Sequence, residues 1–163
     1  MKDIHKLKSI LLYNEDTGKF TWKIKPPRSK INVNDEAGCL DQKGYVKIQV
    51  QGVSYYGHRL AWAFIYDDWP SEEIDHVNCV KSDNRACNLR SANRSQNQAN
   101  IPIRITNKLG IKGVSKVKGR NLFVAKIVVS GKREHLGYYK STIEAGEAYR
   151  VAAEKYFGCF GRK

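Results

Sequence analysis

The chain has 163 residues, 41% of them hydrophobic and 28% charged, which is an ordinary composition for one domain or a few small modules. Its formal net charge is +13, which suits a polyanionic partner. No apolar run approaches the roughly 18 residues of a membrane span, and we expect neither a signal peptide nor a membrane association.

The first 57 residues predict a small module of one helix and several strands. Residues 3–13 place Ile4, Leu7, Ile10 and Leu11 on one helical face. The segment "KFTWKIK" at 19–25 alternates like a half-buried strand, with Phe20, Trp22 and Ile24 on its apolar face. Two further strands are predicted around Gln51-Gly52, and 58–66 fits a short buried helix.

The last third predicts a second module after a connector at 101–110. Gly119 and Ser130-Gly131 mark turns between three strands. A helix follows from Ser141, which forms a capping box with Glu144, and Gly158 suits its C-terminal end. We expect alanines and Tyr156 on its apolar stripe. The whole chain is therefore predicted to be of the α+β class.

Four cysteines are scattered along the chain without a close pairing pattern: Cys39, Cys79, Cys87 and Cys159. This usage predicts reduced thiols in a cytoplasmic protein. No Cys-x-x-Cys pair supports a structural zinc site, and no arrangement supports a cysteine nucleophile.

The segment "IDHVNCVKSDNRACNLRSANRSQNQAN" at 74–100 combines an Asp-His pair with six asparagines. Asp75 and the side-chain carbonyl of Asn97 are hard oxygen ligands, which with several waters suit Mg²⁺ or Mn²⁺. His76 beside such a metal has the chemistry of a general base for water. The residue types alone leave a structural pair and ordinary turns open, and we expect strand, loop, strand and helix in that order.

The same segment resembles the His-Asn-His (HNH) family of ββα-metal nucleases, in the homing type of phages and introns where Asn replaces the last His. The matching motifs are Asp75-His76, Asn88-Leu89-Arg90 and Asn97, with "GHRLAWAF" upstream. The resemblance covers about 45 residues.

This resemblance implies a role for each matching residue. His76 would be the general base, Asp75 and Asn97 the metal ligands, and Asn88 a brace that holds the loop and orients His76. Asn84 and Asn93 compete for these roles, and we expect Asn84 to stabilise the loop by an Asx turn. His58, in the upstream motif, is expected to pack or to face DNA rather than to bind metal.

The excess positive charge lies in residues 101–163, which carry 14 Lys/Arg against four Asp/Glu. The segment resembles the Apetala-type (ethylene-response-factor) DNA-binding domain in Gly113-Val114, "FVAKI", "LGYY" and "EAGEAYRVAAEKYFG". In that family a three-stranded sheet enters the major groove. The matching positions here are Lys112, Lys116, Lys118, Arg120, Lys126, Arg133 and His135. Lysines in place of arginines suit phosphate contact better than base reading.

Together these patterns predict a small N-terminal sheet module at 1–57, an HNH core at 58–100, the connector at 101–110 and a DNA-binding module at 111–163. The predicted activity is metal-dependent cleavage of double-stranded DNA by a monomer, in the host cytoplasm if a phage encodes it. By resemblance the products would carry 5′-phosphate and 3′-hydroxyl ends. A DNA-binding regulator with an inactive core and an RNA-cleaving enzyme are the alternatives.

Overall fold

The computed structural model describes residues 3–27 and 29–161, which form two compact units, 1–91 and 92–163. Helices and small sheets are mixed, which confirms the α+β class. In chain order the elements are α1 (Ile4–Ile10), β1 (Leu11–Asn14), β2 (Lys19–Trp22), β3 (Cys39–Leu40), β4 (Val46–Val50), β5 (Val53–Tyr56), α2 (Gly57–Tyr66), β6 (Glu73–His76), β7 (Leu89–Ala92), α3 (Arg94–Asn100), β8 (Val114–Lys116), β9 (Phe123–Val129), β10 (Lys132–Tyr139) and α4 (Thr142–Phe157). Within the described ranges, no helix has the length and apolarity to cross a bilayer.

The first helix is shorter than its apolar pattern predicts. It ends at Ile10, and Leu11 begins a strand that pairs with Trp22 of β2 in an antiparallel hairpin. Both side chains are almost fully buried, so the core contacts of the hairpin outweigh continuation of the helical face. Because β2 ends at Trp22, the prediction for Ile24 is wrong: its side chain is 54% exposed.

The predicted hairpin around Gln51-Gly52 is confirmed as β4 and β5. Both turn residues have positive φ, 50° and 81°, as a two-residue turn between twisted strands requires. The chain then passes directly into α2, which buries Leu60 and Ala61. These residues share one hydrophobic core with Leu7 and other side chains that precede position 57.

The predicted order of strand, loop, strand and helix in residues 73–100 is confirmed by β6, β7 and α3. β6 pairs with β7, and a loop of twelve residues, including one turn of 3₁₀-helix at Ala86–Asn88, joins them. The helix α3 begins with a capping box in which Asn93 and Gln96 exchange hydrogen bonds between side chain and backbone. Because β6 pairs with β7, both ends of the asparagine-containing loop between them are held in place.

The second unit contains the predicted three strands in the order β10-β9-β8, all antiparallel, with α4 on one face. The capping box of Ser141 and Glu144 is present as predicted. Small side chains let α4 lie close to the sheet, where Ala145 packs with Val114 and Ala125. The expected position of Tyr156 on the apolar stripe is wrong: it is 38% exposed, and the next residue, Phe157, is buried instead.

Candidate active site

The strand β6 brings Asp75 and His76 into the interior of the first unit, where their side chains are only 4% and 5% exposed. Neighbouring residues of a strand point to opposite faces. Consistent with this, Asp75 meets Arg90 of β7, whereas His76 meets the loop that follows β6. Burial of both groups is costly unless each is hydrogen bonded, and each of them has a polar partner.

The imidazole of His76 lies against Asn84, with Nε2 3.2 Å from the side-chain oxygen Oδ1. Asn84 is 1% exposed, so its amide is held firmly within the core. With Oδ1 in this position the amide accepts the hydrogen bond, and Nε2 of the neutral His76 ring carries the proton. The basic lone pair is then on Nδ1, the nitrogen that would accept a proton.

The pKa of His76 is lowered from its usual value of 6.5, chiefly because burial penalises the charged imidazolium. The hydrogen bond to Asn84 and the carboxylates of Asp75 and Asp83 raise it, and the charge of Lys81 lowers it further. A lowered pKa keeps the imidazole neutral at neutral pH. His76 is therefore in the protonation state that a general base needs.

Asn88 holds the loop, as the resemblance implies, but its side-chain contacts are to the loop backbone. Its Oδ1 accepts a hydrogen bond from the backbone N–H of Asn78 at 2.9 Å, and its Nδ2 donates to the carbonyl oxygen of Asp83 at 2.7 Å. Its own carbonyl accepts from the N–H of Val77. The orienting contact on the imidazole that we expected from Asn88 is made by Asn84.

Two glycines make room for Asn84, and neither was singled out in the sequence. A Cβ on Gly57 would lie 2.8 Å from Asn84 Nδ2. Gly18 has a φ of +70°, and a Cβ there would lie 2.4 Å from the backbone nitrogen of Arg85 and 2.5 Å from the carbonyl carbon of Asn84. In addition, the Tyr13 hydroxyl donates to the carbonyl oxygen of Asn84 at 2.7 Å. These contacts fix the backbone of Asn84 and limit the space around its side chain.

Asp75 forms a buried ion pair with Arg90, the arginine of the Asn-Leu-Arg motif. Nε and Nη2 of Arg90 lie 2.9 and 2.8 Å from the same carboxylate oxygen, Oδ2. The guanidinium therefore fixes the orientation of the carboxylate. A buried carboxylate is a hard oxygen donor of the kind that Mg²⁺ or Mn²⁺ takes, so the residue fits its predicted role.

Asn97 lies on α3, in the second compact unit, whereas Asp75 lies in the first. Their joint binding of a metal ion stays a prediction. Asn93, the competing candidate, is the N-cap of α3, where its side chain accepts from the N–H of Gln96. This assigns Asn93 a structural contact at the start of the helix.

His58 contacts the site more closely than the sequence indicated. It is 9% exposed, its ring centroid lies 5.2 Å from that of His76, and Tyr45 and Tyr56 pack against it. Burial, followed by the charges of His76 and Arg59, lowers the pKa of His58 to about 3. Its Nδ1 is buried and has no hydrogen-bond partner among the described residues.

The predicted DNA-binding side chains lie in or beside the sheet of the second unit. Six of the seven are exposed: Lys116, Lys118, Arg120, Lys126, Arg133 and His135. His135 is paired with Lys126 across the strands, and its ring lies 4.7 Å from that of Tyr138 next to a bulge. Lys112 differs, because its ammonium donates to the carbonyl oxygens of Ala99 and Ile101 at the end of α3.

Comparison with known proteins finds a family match for the segment that contains Asp75 and His76. Residues 55–99 match the HNH endonuclease family model, a range that includes all four predicted catalytic and metal-binding residues. No curated protein matches the chain. Among solved structures, a chain of the HNH homing endonuclease I-HmuI, from work on its DNA binding and cleavage, has a TM-score of 0.45 and 21% identity, over 90% of this chain and 80% of that one. The family match shows that residues 55–99 are similar to HNH endonucleases.

Proposed function

We propose that the protein is a metal-dependent endonuclease that hydrolyses phosphodiester bonds in double-stranded DNA. The observation that carries this proposal is the buried, neutral imidazole of His76, held by Asn84 within the segment that matches HNH endonucleases. A neutral imidazole is the form of histidine that can take a proton from water as a general base.

The chemistry follows from the protonation state of His76. Nδ1 accepts a proton from water as the water oxygen attacks phosphorus, and the bond from phosphorus to the 3′-oxygen breaks. The leaving 3′-oxygen takes a proton from solvent, and Nδ1 then returns its proton to solvent. The products are a 5′-phosphate and a 3′-hydroxyl, as the family resemblance implies. Asp75 and Asn97 would hold a divalent cation, Mg²⁺ or Mn²⁺, whose charge offsets the negative charge that develops on the phosphate and the leaving oxygen. Arg90 keeps the Asp75 carboxylate oriented.

The second unit serves as the DNA anchor in this proposal. Its exposed sheet residues, among them Lys116, Lys126 and Arg133, supply positive charge along the strands, and its resemblance to Apetala-type domains implies major-groove binding. One active site in a monomer cleaves one strand in each binding event. We therefore propose a site-preferring, homing-like enzyme that nicks DNA unless two chains cooperate.

Incubation with supercoiled plasmid, with Mg²⁺ or with excess EDTA, tests the proposal. We expect nicked circles to appear with Mg²⁺ and none with EDTA, and Mn²⁺ to substitute for Mg²⁺. Full cleavage in EDTA would contradict the metal mechanism. Binding of duplex DNA without cleavage under any of these metals would favour a regulator with an inactive core, and cleavage confined to an RNA substrate would replace DNA as the target.

A further inference from the structure

Two lysines lie over two tyrosines on the side of the first unit where His76 is found. Nζ of Lys81 is 4.9 Å from the centroid of the Tyr45 ring, and Nζ of Lys47 is 5.1 Å from that of Tyr56. The two tyrosine rings meet edge to face at 5.7 Å. An ammonium over an aromatic face is attracted by the ring quadrupole. We call these four residues the lysine–tyrosine wall.

The wall adjoins the imidazole that the proposed chemistry uses. The Tyr45 ring centroid is 6.2 Å from that of His76, so one ring contacts both Lys81 and the general base. His58 lies between the tyrosines and His76, with centroid distances of 5.3 Å to Tyr45 and 5.2 Å to His76. The wall is therefore built on the same aromatic cluster as the active site.

Neither lysine of the wall forms an ion pair with a carboxylate within the described ranges, although the charge of Lys47 lowers the pKa of Asp41. Elsewhere in the first unit, basic side chains such as Lys8, Lys19 and Arg90 form ion pairs. Lys81 instead donates to the carbonyl oxygen of Lys43 at 3.0 Å. Holding a long, exposed side chain by two contacts costs conformational entropy that a freely solvated lysine does not lose. The arrangement keeps positive charge in place beside His76.

Ammonium groups that are held in place and form no ion pair suit anionic ligands, and an ammonium binds phosphate as a point charge without reading bases. We infer that Lys81 and Lys47, held over Tyr45 and Tyr56, bind the backbone phosphates that flank the scissile phosphodiester. The inference rests on the proposed function. It assigns the sheet β3-β4-β5, which supplies Lys47 and Tyr56 and is adjoined by Tyr45, the task of positioning the strand to be cut.

The test compares Lys81→Gln with Lys23→Gln on a short duplex. Lys23 is a matched control because it lies in the same unit and its Nζ also donates to a backbone carbonyl, that of Lys8 at 3.1 Å. For Lys81→Gln we expect a loss of about tenfold in kcat/KM, mainly through KM, because a charge-assisted hydrogen bond is lost. The slope of log affinity against log salt should fall by about one. Lys81→Arg should restore most of the kcat/KM and of the salt slope. The kcat/KM of Lys23→Gln should stay within about twofold of wild type.

An alternative is that the wall only stabilises the fold through its ring contacts. In that case Lys81→Gln would lower the urea midpoint and leave KM and the salt slope equal to those of Lys23→Gln, which would overturn the inference. Wild-type cleavage of plasmid tests the proposed function separately. If the wild type bound duplex without cleaving it, that function would fail, whereas a reduced salt slope confined to Lys81→Gln and Lys47→Gln would still support the phosphate contacts.

Discussion

The two compact units use polar residues in opposite ways. Residues 1–91 carry 14 Lys/Arg and 12 Asp/Glu, whereas residues 92–163 carry 15 and four. The first unit buries five polar side chains, namely His58, Asp75, His76, Asn84 and Asn88, whereas the second has Asn100 as its buried polar residue within the described ranges. The first unit therefore places polar groups inside, and the second displays charge on its surface.

On the proposed function, this difference separates two physical demands that conflict within one small core. A general base and a metal ligand gain from exclusion of water, but each buried polar group lowers stability unless it is hydrogen bonded. Binding a polyanion needs exposed, hydrated cations above an apolar core, such as the alanine-rich packing of α4. We therefore expect substitutions in the first unit to change the cleavage rate, and substitutions in the second unit to change the affinity for DNA.

The largest expected effect is the loss of the proposed general base. His76→Ala should lower the single-turnover cleavage rate by a factor of about 10²–10⁴, the usual contribution of such a group. DNA affinity, measured by fluorescence anisotropy, should remain close to wild type. His5→Ala, which changes an exposed histidine of the same unit, is the control and should leave both unchanged. An unaffected rate in His76→Ala would remove His76 from the mechanism.

A smaller effect is expected at Asn84, which acts through His76. Asn84→Ala should lower kcat by about tenfold to a hundredfold, because the imidazole loses the partner that selects its tautomer. Asn78→Ala is the matched loop variant, since the Asn78 side chain contacts Val80 and Asp83. Equal kcat losses in the two variants, with equal urea midpoints, would show that Asn84 only supports the loop.

The buried polar core of the first unit predicts a specific sensitivity to acid. The pKa of His58 is about 3 in the folded protein and about 6.5 when unfolded, so its contribution to stability is present above pH 6.5 and is lost as the pH falls towards 3. Between pH 7 and pH 5 this amounts to about 2 kcal/mol. The free energy of unfolding of His58→Leu, measured in urea, should therefore depend less on pH than that of wild type. A parallel pH dependence in both proteins would contradict the buried, neutral state of His58.

The smallest effect for a single substitution is expected on the surface of the second unit. Lys126→Glu should weaken DNA binding by about tenfold and lower the salt slope by about one, with kcat at saturating DNA unchanged. Lys155→Glu makes the same charge change on α4, away from the sheet strands, and serves as the control. If both variants lost affinity equally, net charge rather than the sheet would determine binding.

The sequence predicted most elements and the position of the chemistry, because these depend on local signals. The capping box at Ser141 and the Gln51-Gly52 turn act within a few residues, and the motif from Asp75 to Asn97 is short. The two wrong predictions, which concern the end of α1 and the burial of Ile24, have a different cause. They depend on where β1 pairs with β2, and pairing with a distant strand can override a local apolar pattern.

The partner of His76 could not have been predicted from the motif alone. Asn84 and Asn88 lie in the same loop, and both have side chains of the same chemistry. The structure distinguishes them through contacts with residues far away in the chain: Gly18, Gly57 and Tyr13 surround Asn84. Spacing within the motif contains no information about those contacts, and the same is true of the tyrosines that pack on His58.

The close approach of Gly18 to the backbone of Asn84 and Arg85 has a consequence for genetic screens. Any other residue at position 18 would both strain the turn and push this loop away, because its Cβ would meet fixed backbone atoms. On the proposed function, a random-mutagenesis selection for loss of DNA cleavage should therefore recover changes at Gly18 alongside those at His76. Such alleles would map to a turn that supplies none of the proposed catalytic or metal-binding residues, and would be misread as simple folding defects.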